Sequence, residues 1–302
     1  MERPYILHMF TPGKQMSPFD INMAADAGYQ LVVPYADVGL DAIAGLTQDT
    51  IFSRGPRGVA RTGIFIGGRD AALAADMLER CVKAMVPPFV VSVMADPSGA
   101  YTTAAAMVAS VEAALDKQHG QRLEKLRVLV LGGTGPVGRI AAVLAAQAGA
   151  EVYLSSRNGI DVAEEAAKKT GERFGVTLHG ASAGDRAAVR TSLAEADVLL
   201  ATAAAGVQVV SREDLGFARR LKVAADVNAV PPEGIAGVGV MDDAKPLAGT
   251  GALGIGALAI GNVKYQTQQR LLVQMREAEK GAVTSSFTEA FAVARAFLAE
   301  KR

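Results

Sequence analysis

Six residues near the middle of the chain, Gly133-Thr134-Gly135-Pro136-Val137-Gly138, fit the pattern G-x-G-x-x-G. Glycines at that spacing let a chain turn tightly, bring its backbone up to a pyrophosphate, and pack a helix closely on a strand. On this reading Gly133 serves the turn, Gly135 the approach and Gly138 the packing. The pattern alone is weak, so its context decides. Arg127-Val128-Leu129-Val130-Leu131 before it reads as a buried strand, Val137 to Gly149 as a helix, and Val152-Tyr153-Leu154 as a second strand. Strand, turn, helix and strand in that order are what a dinucleotide site requires. The helix N-terminus then offers free N–H groups and a positive dipole end to the phosphates.

The tip of the second strand selects the dinucleotide. A fold specific for NAD places Asp or Glu there, to bind the ribose 2′-hydroxyl. This chain has Ser155-Ser156-Arg157-Asn158 instead. Two hydroxyls and a guanidinium suit a 2′-phosphate, with Arg157 as the ionic partner, so NADP is the expected cofactor. The alternative is that Arg157 is a solvated turn residue. Further on, Asn228 ends a strand just before Pro231-Pro232. At a carboxyl edge its amide would face the cofactor crevice and bond the nicotinamide carboxamide. Ala203 and Gly206, after the strand at Val198, would leave room for the nicotinamide ribose.

Many hydride-transfer reactions also move a proton and need an acid or base for it. The sequence is poor in such groups. No Tyr-x-x-x-Lys lies on a helix of the dinucleotide half. His8 falls in a strand, His119 in a linker and His179 in an edge strand. A reaction that moves hydride and no proton fits this poverty.

Strands alternate with helices along the whole chain, which predicts a mostly parallel α/β architecture. Before the glycine turn, strands are expected at Tyr5–Phe10, Leu31–Val33, Ile64–Ile66 and Phe89–Met94. Helices are expected from Ser17-Pro18-Phe19-Asp20, over Ala71–Met85, and over Thr102–Asp116. Ser17 reads as an N-cap, Pro18 as N1 and Asp20 as N3. After the turn come a helix at Asp161–Arg173, strands at Val198–Leu200 and Val223–Ala225, a glycine run Gly249–Gly256, and a helical tail over Ser286–Glu300. The polar run Lys117-Gln118-His119-Gly120-Gln121 marks a boundary. The expectation is a two-lobed protein with a Rossmann-type, doubly wound NAD(P)-binding domain over 119–261. The α/β substrate domain is expected over 1–118, completed by helices in 262–302.

Composition narrows the class. Thirty-one basic and 31 acidic residues give a net charge of zero, against the basic surface a nucleic-acid partner would require. One cysteine, Cys81, excludes an internal disulfide framework, and three scattered histidines offer no metal-binding spacing. No metal is expected. The N-terminus has no apolar leader region, and no apolar run approaches a bilayer's thickness. A cytoplasmic protein without a membrane partner is expected.

Several runs resemble the bacterial NAD(P)-dependent methylene-tetrahydromethanopterin dehydrogenases. They are Ser17–Asp20, Asp96-Pro97-Ser98-Gly99-Ala100-Tyr101-Thr102-Thr103-Ala104-Ala105-Ala106, Gly132–Gly138, Ala225–Pro232 and Gly251-Ala252-Leu253-Gly254-Ile255-Gly256. The resemblance implies hydride transfer from a methylene pterin to NADP or NAD in formaldehyde oxidation, and a homo-oligomer. The hydride leaves a carbon between two nitrogens, whose lone pairs stabilise the cation, so no base is needed. The related folate dehydrogenase-cyclohydrolases carry a Tyr and Lys pair for hydrolysis that has no counterpart in this N-terminal half. Asp20 either places a carboxylate near the methenyl cation or merely caps its helix. Thr102 and Thr103 either bond the pterin or nicotinamide, or are buried behind a Ser98 cap. Lys264 binds the pterin or its acidic tail, or is solvated. Arg54, Arg57 and Arg61 either meet that tail or decorate a loop. Two rival functions stand beside this one, a methylene-tetrahydrofolate dehydrogenase and a non-catalytic NADP sensor.

Overall fold

A computed structural model describes residues 3–278 and 281–300, so Met1 and Glu2, at the head of the N-terminal reading, lie outside it. The chain divides into two units, Met1–Thr102 with Tyr265–Val293, and Thr103–Lys264 with Ala294–Arg302.

The first unit opens with β1 (Ile6–Phe10), α1 (Pro18–Asp26), β2 (Leu31–Tyr35), α2 (Ile43–Phe52) and α3 (Pro56–Val59). It continues through β3 (Thr62–Ile66), α4 (Ala71–Ala84) and β4 (Ser92–Ala95). A 20-residue helix, α5 (Ala100–His119), carries the chain onward. Lys117–His119 are therefore its last residues, and His119 is not in a linker. The division of the chain falls earlier, inside this helix.

The second unit holds β5 (Arg127–Leu131), α6 (Pro136–Gln147), β6 (Glu151–Ser156), α7 (Ile160–Phe174), β7 (His179–Ser182) and α8 (Arg186–Glu195). Then come β8 (Val198–Ala201), α9 (Arg212–Leu215), β9 (Val223–Asp226), β10 (Lys245–Pro246) and β11 (Leu253–Ile255). α10 (Ala257–Arg276), β12 (Thr284–Ser285) and α11 (Phe287–Glu300) complete the described chain.

The second unit's sheet has seven strands in the order β10-β11-β9-β8-β5-β6-β7, all parallel except the β10–β11 pair. Leaving out β10, this is the order of a doubly wound dinucleotide fold, and it reverses between β5 and β8. The central strands are apolar runs because both faces are covered. Val128, Val130, Val198, Leu199 and Val223 have no measurable exposure, and each such side chain contributes roughly 1.5–3 kcal/mol.

The first unit's sheet is parallel, in the order β12-β4-β3-β1-β2, and reverses between β1 and β3. Open parallel sheets take ligands outside the carboxyl ends of their strands, at the reversal. Each unit thus has one place where a ligand is expected. β2 is an edge strand. The Leu31 N–H donates to Tyr5 O, and Tyr35 O accepts from the Thr11 N–H. Odd-numbered residues therefore face β1, and Pro34, which lacks an N–H, faces outward where none is needed.

Two local expectations change. The strand expected over Phe89–Met94 starts only at Ser92. Phe89 instead closes a turn over Pro87-Pro88, its N–H donating to Val86 O at 2.7 Å. The hydroxyl of Ser17 does occupy the N-cap position of α1 but makes no capping hydrogen bond.

The entry to α5 is held from behind. Asp96 is fully buried, and its Oδ1 accepts the N–H groups of Tyr101 and Thr102 at 2.9 and 3.1 Å. Its Oδ2 accepts the Thr102 hydroxyl at 2.6 Å. Asp96 supplies the cap expected of Ser98, whose hydroxyl donates to Gly68 O. Replacing Thr102 by Val keeps the shape and removes one hydrogen bond to a buried carboxylate. We expect a loss of about 1.5–3 kcal/mol, the range for a hydrogen bond to a charged group. Denaturant unfolding measures it, and an unchanged midpoint would show that the bond contributes nothing.

Candidate active site

The turn Gly132–Gly138 sits at the β5/β8 reversal, and its glycines divide by what a side chain would meet. Gly132 has φ +76°, and a Cβ there would stand 2.6 Å from Ala203 N. A Cβ on Gly133 would meet Leu154 Cγ at 2.6 Å and Ser155 N at 3.0 Å, and one on Gly138 would meet Gly133 Cα at 2.7 Å. Close approach between β5, β6, α6 and the end of β8 forbids side chains at these three positions. Gly135 differs. Its φ of −74° suits any residue, and a Cβ would meet only Gly132 O, at 3.5 Å. The fold itself makes no demand for glycine there, and the space it leaves open is at the N-terminus of α6. The left-handed turn glycine is thus Gly132 rather than Gly133.

The turn is braced from outside. Arg139 Nε donates to Thr134 O at 2.9 Å, and its Nη1 to Thr170 Oγ1 on α7 at 2.7 Å. Thr202 ties the end of β8 to β5, its N–H and hydroxyl both donating to Leu131 O.

A cavity of about 650 Å³ opens in front of this turn, lined by Thr134, Gly135, Ser155–Asn158, Arg186 and Thr202–Ala204 among others. Two observations mark it as fitting a dinucleotide. One is the open cradle at Gly135. The other is Ser155, fully buried in β6, whose hydroxyl has no hydrogen-bond partner. Such a group is costly unless something satisfies it. Ser156 Oγ accepts the Asn158 N–H at 3.1 Å, which shapes the turn and leaves the hydroxyl proton to donate to a phosphate. Two arginines line the cavity. Arg186 is committed to Asp214, at 2.6 Å. Burial alone would raise the Asp214 pKa, but bonds from Ser211 and Arg190 outweigh it and hold the value at about 2. Arg157 is exposed and makes no hydrogen bond or ion pair among the described residues. It is the cation left for a phosphate.

Asn228 is placed at the carboxyl end of β9, but its amide is occupied. Oδ1 accepts from the N–H groups of Gly206 and Val230, both at 3.0 Å, and Nδ2 donates to Pro232 O at 2.8 Å. It folds the loop leading to Pro231-Pro232, and the expected bond to a carboxamide gives way to this bracing. Gly206, at φ +76°, serves the same loop, while Ala203 lines the cavity.

In the first unit, a cavity of about 680 Å³ lies at the β1/β3 reversal, lined by the loops after β1, β3 and β4. Asp20 lines it and is only 2% exposed. Asp20 Oδ1 accepts a 2.7 Å bond from Nε2 of Gln268 on α10, itself fully buried. Asp20 is therefore an oriented carboxylate bordering a cavity, more than a helix cap. Thr102 lies behind that surface with its hydroxyl taken, as described. Thr103 on α5 is half-buried, and so is Lys264, one turn before Gln268 on α10. Arg54 and Arg61 are spent on the main chain, Arg54 on Pro4 O and Arg61 on Arg3 O.

Residues 18–98 match the family described as "Methylene-tetrahydromethanopterin dehydrogenase, N-terminal". A protein of Methylorubrum extorquens named "NAD(P)-dependent methylenetetrahydromethanopterin dehydrogenase" is 48% identical over 275 residues, covering 91% of this chain and 93% of that protein. The chain belongs to the methylene-tetrahydromethanopterin dehydrogenase family. "Bifunctional protein MdtA" of the same organism is 33% identical over 276 residues, with 91% and 93% covered. The crystal structure of shikimate 5-dehydrogenase from Listeria monocytogenes is similar in fold alone. Its TM-score is 0.52 at 13% identity, with 90% of this chain and 92% of that chain covered.

The family frame leaves three residues that sequence reasoning missed. Gln268 carries no motif and meets Asp20 only through the fold. Lys14 and Arg69 line the first unit's cavity from the loops after β1 and β3. Their position, one loop past a strand end, was the available signal.

Two predictions come from the cofactor cavity of this family member. Gly135→Ala should leave thermal stability near the parent's and weaken dinucleotide binding about tenfold or more, about 1.4 kcal/mol or more. Gly138→Ala should instead destabilise by about 1–3 kcal/mol through overpacking. Thermal melts with cofactor titration separate the two, and equal destabilisation by both would remove the open cradle. Second, Arg157→Ala should weaken NADP roughly ten- to a hundredfold, as a lost charge-assisted bond of 1.5–3 kcal/mol implies, and spare NAD. Equal loss for both cofactors, read from their KM values, would mean the arginine packs on the adenine or backbone.

Proposed function

We propose that this chain oxidises methylene-tetrahydromethanopterin to its methenyl form, with NADP or NAD taking the hydride, in one-carbon and formaldehyde oxidation. One observation carries the reading. A dinucleotide cradle and a carboxylate-lined cavity each stand at the reversal of their own sheet, in a chain 48% identical to a protein named for that activity.

Bound NAD(P) supplies the hydride-accepting nicotinamide. The N-terminus of α6 and the Gly135 backbone hold the pyrophosphate, and Arg157 the 2′-phosphate where there is one. The substrate carbon lies between two nitrogens. When its hydride leaves, their lone pairs close the methenyl cation, and no proton is released. A base would have nothing to do. Consistently, none of the three histidines lines either cavity. His8 bonds Tyr35 Oη, and burial, aided by Arg54, lowers its pKa. His179 stacks on Tyr153.

The protein's contribution is positioning and charge. Asp20, aimed by Gln268, faces the growing positive charge on the pterin. Roles for Thr103 and Lys264 toward the substrate, and a homo-oligomer, rest on the family resemblance, and a cytoplasmic location rests on the sequence's charge and hydropathy pattern. Among the described residues no helix is long and apolar enough to cross a membrane, and no cluster of metal-binding side chains occurs.

The test is direct. Purified chain is mixed with NADP or NAD and methylene-tetrahydromethanopterin, and reduced cofactor is followed by absorbance. Turnover only with methylene-tetrahydrofolate would transfer the function to the folate series. Cofactor binding without turnover on either pterin would leave an NADP sensor. Asp20→Asn keeps size and the Gln268 contact but removes the charge. Single-turnover rate should fall roughly 10- to 100-fold, at the lower end of what one electrostatic contact supplies, with the melting point little changed. The single-turnover rate of the parent should be flat across neutral pH, since no group must change protonation. A bell-shaped profile would contradict hydride transfer without a base, and a variant that loses stability and keeps its rate would return Asp20 to helix capping.

A further inference from the structure

We propose that Lys14 and Arg69 form an anion subsite on the first unit's cavity, which takes the acidic tail of the pterin substrate. The inference rests on the reading of that cavity as the pterin site, and adds which end of the substrate lies where.

Asp20 borders the cavity as a buried carboxylate bonded to Gln268. Lys14 and Arg69 line it from two different loops, both exposed. Neither makes a hydrogen bond or ion pair among the described residues. Ser17, also in the lining, has a hydroxyl that caps nothing. Three donors in the cavity lining are therefore uncommitted among the described residues. Three other arginines of this unit are spent on the main chain. Arg54 bonds Pro4 O, Arg61 bonds Arg3 O, and Arg276 bonds Ala27 O. The one further carboxylate on the wall, Asp70, caps α4 through the N–H groups of Ala72 and Leu73.

A ligand that satisfies this arrangement carries positive charge or donors at one end and a phosphate or carboxylate at the other. A methylene pterin going to a methenyl cation supplies the first at Asp20. An acidic tail supplies the second at Lys14 and Arg69. Because the cations are exposed, their attraction is screened by salt, and they act on binding more than on chemistry.

The experiment uses the full chain with Lys14→Ala, Arg69→Ala, the double variant, and Arg80→Ala as an exposed cation off the cavity. The double variant should raise the KM for the methylene pterin about tenfold, with kcat changing far less. It should also flatten the rise of KM with salt. Inorganic phosphate should compete with the pterin in the parent and in Arg80→Ala, and compete poorly in the double variant. Unchanged KM and unchanged phosphate inhibition in the double variant would overturn the subsite. If the parent turns over no pterin, the function proposed above fails separately. The subsite is then read from phosphate protection against thermal unfolding. Protection lost in the double variant supports it, and protection equal in both, or absent in the parent, overturns it.

Discussion

The backbone contact between the turn after β5 and the segment after β8 is the constraint on which the second unit depends. Gly132 lies so close to Ala203 N, and Gly138 so close to Gly133 Cα, that a methyl group has no room at either. That closeness draws α6 down onto the sheet with its N-terminus at the strand-order reversal. Were the helix to ride one side chain higher, its free N–H groups would stand clear of the crevice. The site's electrostatics is thus a consequence of packing. The same contact explains why Arg139 and Thr202 bond the main chain of the turn and neighbouring strand. They fix the position of a loop whose four glycines have no side chains to lock it.

Much of this was legible in the sequence, and the reason is locality. β5, the glycine turn, α6 and β6 span about 30 consecutive residues, and each declares itself by composition or period. Arg157 was legible because strand tips are counted from the turn. Gly132 was harder, since the familiar pattern begins one residue later and a positive φ leaves no trace in composition.

What was not legible depends on chain segments far apart. Asp20 and Gln268 are 248 positions distant, and nothing in either helix announces the other. Ser17-Pro18-Phe19-Asp20 looks like a capping sequence, yet the fold spends Asp20 on a cavity. Thr102 sits in a highly specific run, which made it look like a ligand. Its specificity comes from Asp96, whose two oxygens hold the first turn of α5. Asn228 misleads in the same way, because an amide at a strand end is equally suited to bonding a cofactor and to bonding the loop behind it. Side-chain direction decides these cases, and it is a property of the packed state.

The buried acids show a common principle. Asp96 after β4 and Asp226 at the end of β9 both turn their carboxylates to backbone N–H groups of the following segment. Asp214 holds Arg186 and Arg190 beside the cofactor cavity. Burial raises the Asp226 pKa even against three backbone donors, so the desolvation of that carboxyl is a real cost. A protein that needed proton transfer would keep such groups available to substrate. Here they are invested in loop geometry, and the uncommitted groups among the described cavity-lining residues include the Ser155 hydroxyl and the cations Lys14, Arg69 and Arg157. That division is what hydride transfer without a proton requires. In the proposed reaction the barrier lies in bringing two ring systems together and tolerating a positive charge, a task that rigid loops and a carboxylate held as Asp20 is held would serve better than a proton-transferring side chain.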